Sequence, residues 1–304
     1  MKRLYQIVDN KVAESDNPDS NILIYINPDN EEKKFLVESV KLDEHTLNSA
    51  LDPDEISRLE FEPEHIAIIM KRPKNYSSKH LLNFKVASMG VFIFSDKIIT
   101  VLADDIPVFD GKSFTKVLSL RDLILKIIQG PVVHFLDHLK TFSMISDELE
   151  SKINRSMQNK YLINLFTLEK SLVYYLSAIN SNMLVIDKMK SSAAKFGFTS
   201  EEQEILDDIK IENSQCYKQA DIYSSILASM MDARASIVSN NINILMKTLN
   251  IITIGIMLPS LVVSIFSMNV DFPLREHPYA FWFILLFAAL SVAVVIYFWK
   301  KLKW

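Results

Sequence analysis

The rhythm of apolar positions changes near residue 130 and again near residue 249. Up to about Leu125, short β-rich runs alternate with short helical stretches. Asn21-Ile22-Leu23-Ile24-Tyr25-Ile26 reads as a strand that Asn27-Pro28-Asp29 ends, and Asp29 is placed to cap a helix over Glu31 to Val40. His65 to Met70, Phe84 to Ser88, Val91 to Ser95 and Ile98 to Leu102 are strand-like runs spaced by turn residues. Residues 1–130 are therefore expected to form an α/β or α+β domain.

After Gly130-Pro131, long helical segments follow with scarcely a breaker: Val132 to about Gln158, Lys160 to about Lys195, and a third from near Ser200. Thr199-Ser200-Glu201-Glu202 supplies that third helix with a cap and an acidic first turn. Neither glycine nor proline follows until Gly255. A helix of that length reaches on the order of 80 Å at 1.5 Å per residue. No compact globule needs one so long, so residues 131–248 read as long helices and a stalk.

Ile251 to Phe266 is uncharged and apolar, and Leu249 with Ser267-Met268 brings it to spanning length. Tyr279 to Trp299 is a second uncharged run of that length. Two buried helices of a soluble core fit charge-free runs this long poorly. The short segment Asn269 to Pro278 makes residues 249–304 a transmembrane hairpin, with spans of about 249–268 and 279–299 and a basic tail. Lys247 precedes the first span and Lys300, Lys301 and Lys303 follow the second, whereas the connecting loop holds only Arg275. Both chain ends are thus expected on the cytoplasmic side, with Trp282, Tyr297, Trp299 and Trp304 at the interfaces. Met1 to Asp9 carries basic residues with no apolar run behind them, which fits neither a secretory signal nor an anchor.

Alternating steps of three and four residues along the long helix pick out Asn243, Met246, Asn250, Thr253, Met257, Ser260, Ser264 and Ser267. Nearly every polar residue of an Ile-, Leu- and Val-rich segment falls on this one face. Toward the stalk the stripe continues through Ser239, Ser236, Asp232, Ser229 and Ser225. Lipid cannot satisfy such groups, so the face must meet protein or water. Two readings stand side by side: a helix–helix interface held by small polar residues, or copies of the helix around a wet axis. The second requires a cyclic oligomer, because one chain has only two spans, and the heptad-like spacing suits a parallel bundle.

Composition adds exclusions. Lys and Arg number 33 against 37 Asp and Glu, a net charge of −4, which argues against a general nucleic-acid binder. Cys216 is the single cysteine and reads as a small packed residue. With no glycine-rich phosphate loop, Ser-His-Asp elbow or HExxH, nothing marks an enzyme. His134, Asp137 and His138 have a spacing seen in zinc sites but lack evident further ligands, so a solvated helix face is the simpler reading. The acidic group Glu201, Glu202, Glu204, Asp207 and Asp208 first of all suits a helix N-terminus, with metal binding as a second use.

Phe266-Ser267-Met268-Asn269 at the end of the first span resembles the Tyr-Gly-Met-Asn signature of the CorA-type divalent-cation channels. Asn243-Ile244-Leu245-Met246-Lys247-Thr248-Leu249 looks like that family's Asn-x-x-Met-Lys-x-Leu run, at the matching distance from the signature. The Phe298-to-Trp304 tail is similar to its Lys-rich ending, and Ile24-Tyr25-Ile26-Asn27-Pro28 with Glu31-Glu32 loosely matches its opening motif. The likeness spans the chain in layout and is specific from about Asp232 onward. It implies an α+β membrane protein of the inner (plasma) membrane: a homopentameric funnel with a cytoplasmic α/β/α domain and a long stalk helix continuing into the pore helix. The cargo it implies is Mg²⁺, with Co²⁺, Ni²⁺ or Zn²⁺ as further candidates, and no catalytic residue. Asn269, Met268 and Ser267 would form the ion-selecting ring. Asp232, Ser236, Ser239, Asn243, Met246, Leu249, Asn250, Thr253, Met257, Ser260 and Ser264 would line the pore.

The chain departs from the family pattern in three places. Ser267 replaces the signature glycine, which either reshapes the pore mouth or adds a ring of hydroxyl acceptors, and which bears on ion selectivity. The family's Met-Pro-Glu is missing, leaving Asp271 and Glu276 as the loop anions. In the family, a stalk carboxylate and an acidic Leu-Glu-Asp segment hold a regulatory Mg²⁺ between subunits. Asp208 has the matching stalk position, but the partner segment here, Leu47-Asn48-Ser49-Ala50-Leu51, has no carboxylate, with Asp52, Asp54 and Glu55 nearby. The rival readings are a Zn²⁺ or Co²⁺/Ni²⁺ transporter of the same fold and a non-conducting membrane scaffold or sensor.

Overall fold

Alternation in one strand sets the layering of the front of the molecule. In β3 (Ile22–Ile26), Ile22, Ile24 and Ile26 join one buried cluster while Leu23 and Tyr25 join another on the opposite face. The structure, a computed structural model, describes residues 1–74, 82–155, 159–269 and 277–301. The chain divides into two compact units, 1–231 and 232–304.

The first unit carries a seven-stranded sheet. Its strands are β1 (Lys2–Val8), β2 (Lys11–Glu14), β3, β4 (Arg58–Phe61), β5 (Ile66–Pro73), β6 (Val86–Ile93) and β7 (Ile98–Leu102). They lie in the order β2-β1-β3-β7-β6-β5-β4. Only β3 and β7 pair in parallel. On one face pack the short helices α1 (Asn30–Glu38) and α2 (Glu44–Ser49), through Leu36, Leu42, Leu47 and Ala50. On the other pack α3 (Leu120–Arg155), α4 (Asn159–Ser191), the turn-long α5 (Ala193–Phe196) and the start of α6 (Ser200–Phe266). This is an α/β/α arrangement, as the resemblance implies.

Local chemistry accounts for several element ends. Asp29 caps α1 as expected: its carboxylate accepts from Glu32 N–H at 2.8 Å while the Glu32 carboxylate accepts from Asp29 N–H. Thr199 and Glu202 make the same reciprocal pair at the start of α6. Two boundaries differ from the sequence reading, and three strands were not foreseen. The runs Phe84–Ser88 and Val91–Ser95 belong to one strand, β6, because Gly90 does not break it. A Cβ at Gly90 would lie 2.5 Å from the Cβ of Ala50, so the glycine is there to admit α2. Helix α3 starts at Leu120 and runs through Gly130-Pro131. Pro131 removes one helical donor, but Leu123, Ile124, Ile127, Ile128 and Val132 are all buried against the sheet and hold the helix together. Strands β1, β2 and β4, which the sequence reading passed over, complete the sheet; Asp9 and Asn10, both at positive φ, make the β1–β2 turn.

Below the sheet, α3, α4 and α6 form a bundle around Phe135, Leu139, Phe142, Leu168, Leu172, Tyr175, Cys216 and Ala220. Cys216 is fully buried, as expected of a packed residue. His138 also lies here, only 8% exposed, with Nδ1 2.6 Å from the Tyr175 hydroxyl and its ring against Phe84. His134 meets it edge-on with centroids 4.4 Å apart, and Asp137 turns instead to Lys140 at 2.8 Å. Of the expected solvated face only Asp137 is exposed; His138 is core and His134 half-buried, because the histidine rings pack as aromatics.

Helix α4 bonds the sheet through Lys188, which donates to Leu59 C=O at 2.6 Å, and most fully through one amide. Strand β4 ends at Arg58, opposite Ile69. Further along β5, the side chain of the fully buried Asn182 takes over: its Oδ1 accepts from Lys71 N–H and its Nδ2 donates to Lys71 C=O, each at 2.8 Å. Ser57 Oγ donates to the same Oδ1 at 2.9 Å. Asn182→Leu would strand these buried groups, and it is expected to lower the unfolding free energy by about 2–4 kcal/mol in denaturant titration. Burial pushes the His138 pKa from 6.5 down to about 4, with the neighbouring His134 adding to the effect. The folded state holds this imidazole neutral, so its stability is complete above pH ~6.5 and falls by about 3 kcal/mol as the pH drops through ~4. His138→Gln should flatten that slope in unfolding midpoints measured from pH 7 to pH 4.

Candidate functional site

The second unit consists of α6 from Asp232 onward and α7 (Ala280–Lys301). Helix α6 is continuous for 67 residues, about 100 Å at 1.5 Å per residue, and passes both Gly255 and Pro259. Two helices, its apolar stretch and α7, are long and apolar enough to cross a membrane, and none of either stretch is buried in the chain. That exposure removes the soluble-core alternative, since a core helix would be covered.

The two helices face each other along a defined seam. Half-buried positions on α6 are Ile251, Gly255, Leu258, Pro259, Val262 and Phe266; on α7 they are Ala280, Ile284, Ala288, Ser291, Val292 and Val295. Phe266 and Phe287 stack with centroids 6.4 Å apart. At 3.6 residues per turn, the α6 seam lies on the side opposite Asn250, Thr253, Met257, Ser260 and Ser264. All five of these are exposed, as are Asp232, Ser236, Ser239, Asn243, Met246 and Leu249. The polar stripe therefore takes no part in the intrachain contact. On its flanks, Ile252, Ile254, Ile256, Leu261, Val263 and Ile265 are also exposed and suit lipid or neighbouring helices.

Two hydroxyls in the membrane part of the stripe donate back to the helix. Thr253 Oγ1 donates to Leu249 C=O at 2.9 Å and Ser260 Oγ donates to Ile256 C=O at 2.8 Å. A hydroxyl has one proton and two lone pairs. With the proton given to the helix backbone, what these groups offer outward is acceptor capacity.

Helix α6 ends at Phe266, and Ser267 N–H still donates to Val263 C=O at 3.1 Å. Ser267 is absent from the residues at positive φ, so its Cβ costs no backbone strain. Its hydroxyl donates to Ser264 C=O at 2.9 Å, and it borders a small apolar cavity of about 270 Å³ with Val263, Phe266, Phe281, Ile284, Leu285 and Ala288. Met268 and Asn269 follow, both exposed. Asp271 and Glu276 lie outside the described residues.

The residues around the family's regulatory position are largely engaged within the first unit. Glu202 caps α6 and meets Arg121 at 3.4 Å, and Asp207 pairs with Lys190. Asp208 is exposed and forms no ion pair among the described residues. Leu47 and Ala50 of the expected partner segment are buried, Asp52 Oδ1 accepts from Asp54 N–H, and Glu55 pairs with Arg58. Beneath this loop lies a feature the sequence reading missed. Lys71, 6% exposed, donates to Pro53 C=O at 2.6 Å and Ser88 Oγ at 2.9 Å. Burial lowers its pKa, while Asp52, Asp54 and Glu55 raise it. A lysine in a strand gives no sequence signal of this, because only the fold brings the loop over it. Among the described residues, no group of three or more His, Cys, Asp or Glu side chains is arranged to hold a metal ion.

Comparison with known proteins agrees with this layout. The cobalt/magnesium transport protein CorA of Methanocaldococcus jannaschii is 24% identical over 289 residues, covering 91% of this chain and 89% of that protein. The complete structure of the CorA magnesium transporter from the same organism superposes with a TM-score of 0.80 at 21% identity, covering 99% and 96% of the two chains. The full-length CmaX protein matches with a TM-score of 0.68 at 14% identity, covering 100% and 97%. The ZntB cytoplasmic domain from Vibrio parahaemolyticus matches at 0.59 and 12% identity, covering 79% of this chain and 98% of that domain. The family model of the CorA-like Mg²⁺ transporter protein matches residues 19–301, nearly the whole chain, and the chain belongs to that family.

Proposed function

We propose that the protein is a divalent-cation channel that takes up Mg²⁺ down the membrane potential, with α6 from several copies lining the pore. The carrying observation is that the polar stripe from Asp232 to Ser264 is turned away from α7. A stripe serving only to glue the hairpin would point into the seam; this one is left for other copies or water. Family membership favours the wet axis, and the name of the M. jannaschii relative supports Mg²⁺ and Co²⁺ as cargo. By resemblance the assembly is a homopentamer, with residues 1–130 as cytoplasmic domain, 131–248 as long helices and stalk, 249–304 as membrane hairpin, and both termini cytoplasmic.

The chemistry of the ring follows from the ion. Mg²⁺ dehydrates reluctantly, so it is better selected through its coordinated waters. Asn269 side-chain carbonyls accept from those waters without the deep well that carboxylates create, which leaves release fast. Inward, the acceptor-facing Thr253 and Ser260 hydroxyls continue the same kind of contact. Met246, Leu249 and Met257 alternate with them as apolar constrictions, and Asp232 adds a carboxylate ring toward the cytoplasm. A dication gains about 4.6 kcal/mol per 100 mV, from roughly 2.3 per charge.

Flux of Mg²⁺, Co²⁺, Ni²⁺ and Zn²⁺ into proteoliposomes tests the reading. Mg²⁺ entry should exceed the others and drop at least tenfold in Asn269→Ala. Entry of another metal alone would point to a different transporter of this fold, and no entry would leave a scaffold or sensor. Because Leu47 to Leu51 holds no carboxylate, and Asp52 and Glu55 already accept from Asp54 N–H and pair with Arg58, sensing by Asp208 should be weak. Protection of the purified oligomer from protease should need Mg²⁺ well above micromolar, and micromolar protection would overturn this part.

A further inference from the structure

Arg72 is 2% exposed, the bulkiest of the fully buried side chains, yet its charge is poorly matched. Its Nη2 reaches Asp104 Oδ2 only at 3.4 Å, its Nη1 reaches Pro73 C=O at 3.4 Å, and its Nε is buried without a partner. Asp104 is shared with Lys74, whose ammonium lies closer at 3.1 Å. A guanidinium taken out of water with contacts this long is the costly kind of buried ion, one that lacks full compensation.

Arg72 lines a cavity of about 590 Å³ within the first unit, bounded by β5 to β7, the loop after β7 and the α3 turn around Gly130. That size falls within the roughly 300–1,000 Å³ of small-molecule sites. The wall is mainly apolar, with Met89, Leu102, Ile106 and Phe114, and His134 stands within the field of the guanidinium. Gly130 opens onto free space: a Cβ there meets nothing within 4 Å. Burial first and the nearby Arg72 second lower the His134 pKa, against the pull of Asp137, so the imidazole favours its neutral form and adds a hydrogen-bonding group to the wall.

The remaining charges narrow the ligand. Asp110 and Asp137 are exposed members of the lining, and Asp137 is paired with Lys140. They oppose a phosphate dianion or polyanion, whereas a single negative charge matches the single buried cation. A carboxylate offers the planar, two-oxygen partner that guanidinium prefers. We infer that this cavity binds a small organic monocarboxylate, its head group completing the coordination of Arg72 and its apolar body filling the space beside Gly130.

The test uses the full chain in lipid nanodiscs with 4-fluorophenylacetate as probe, followed by ¹⁹F NMR. Binding should be saturable, displaced by phenylacetate, and unaffected by equal inorganic phosphate; neutral 4-fluorotoluene should show no saturable binding. Gly130→Leu, which fills the cavity and leaves Arg72 in place, should weaken binding at least tenfold, and Arg72→Met should do the same. Gly130→Leu decides the matter if Arg72→Met does not fold. Absence of saturable binding, displacement by phosphate, or unchanged affinity in Gly130→Leu would each overturn the proposal. Mg²⁺ flux is not the readout, so the outcome is separable from that of the transport experiment.

Discussion

Hydrocarbon offers no hydrogen bonds, and this single fact organises the second unit. Between Leu249 and Phe266 the backbone of α6 bonds along the helix except around Pro259, which has no N–H to give the Gly255 carbonyl, and Thr253 and Ser260 return their own protons to the helix. Its polar side chains over this stretch lie on one face, the face that α7 does not cover. Asn250 has no comparable backbone solution, because an amide has two donors and two acceptor lone pairs to place. A neighbour or water must supply them.

The first unit meets a different constraint with the same economy of contacts. Its sheet is covered on both faces, so its strands alternate between two cores, and beside Lys71 a side chain completes the polar backbone where β4 is missing. That side chain is Asn182: an amide on a helix stands in for the missing end of β4. Lys71, whose backbone takes that amide, sends its ammonium under the 52–55 loop. One residue of β5 thereby links helix, sheet and acidic loop.

Much of this was legible in the chain itself. The spans, their hairpin, the capping of α1 by Asp29 and the polar stripe follow from local periodicity, which acts over a few residues and needs no tertiary knowledge. Gly90 and Gly130-Pro131 misled because punctuation is also local: each looked like a break, and each is overruled by packing, with Ala50 in one case and with the sheet in the other. His134 and His138 show the limit of spacing arguments. Their separation fixes a shared face but not whether that face meets water or Tyr175. The seam between α6 and α7 was equally beyond reach, since opposite faces of an apolar helix differ by small residues whose partners only the fold selects.

The spacing of the stripe has a geometric consequence for any bundle of α6. Its members recur every seven residues from Ser225 to Ser267, whereas a straight helix repeats at 3.6 per turn. The mismatch of ~20° per heptad accumulates over six heptads to roughly 120°. Keeping the stripe inward along that whole length demands a left-handed superhelix, so winding or unwinding the coil would rotate apolar flanks such as Ile254 and Leu261 toward the lumen. The phase of the coil and the wetness of its centre are then a single variable.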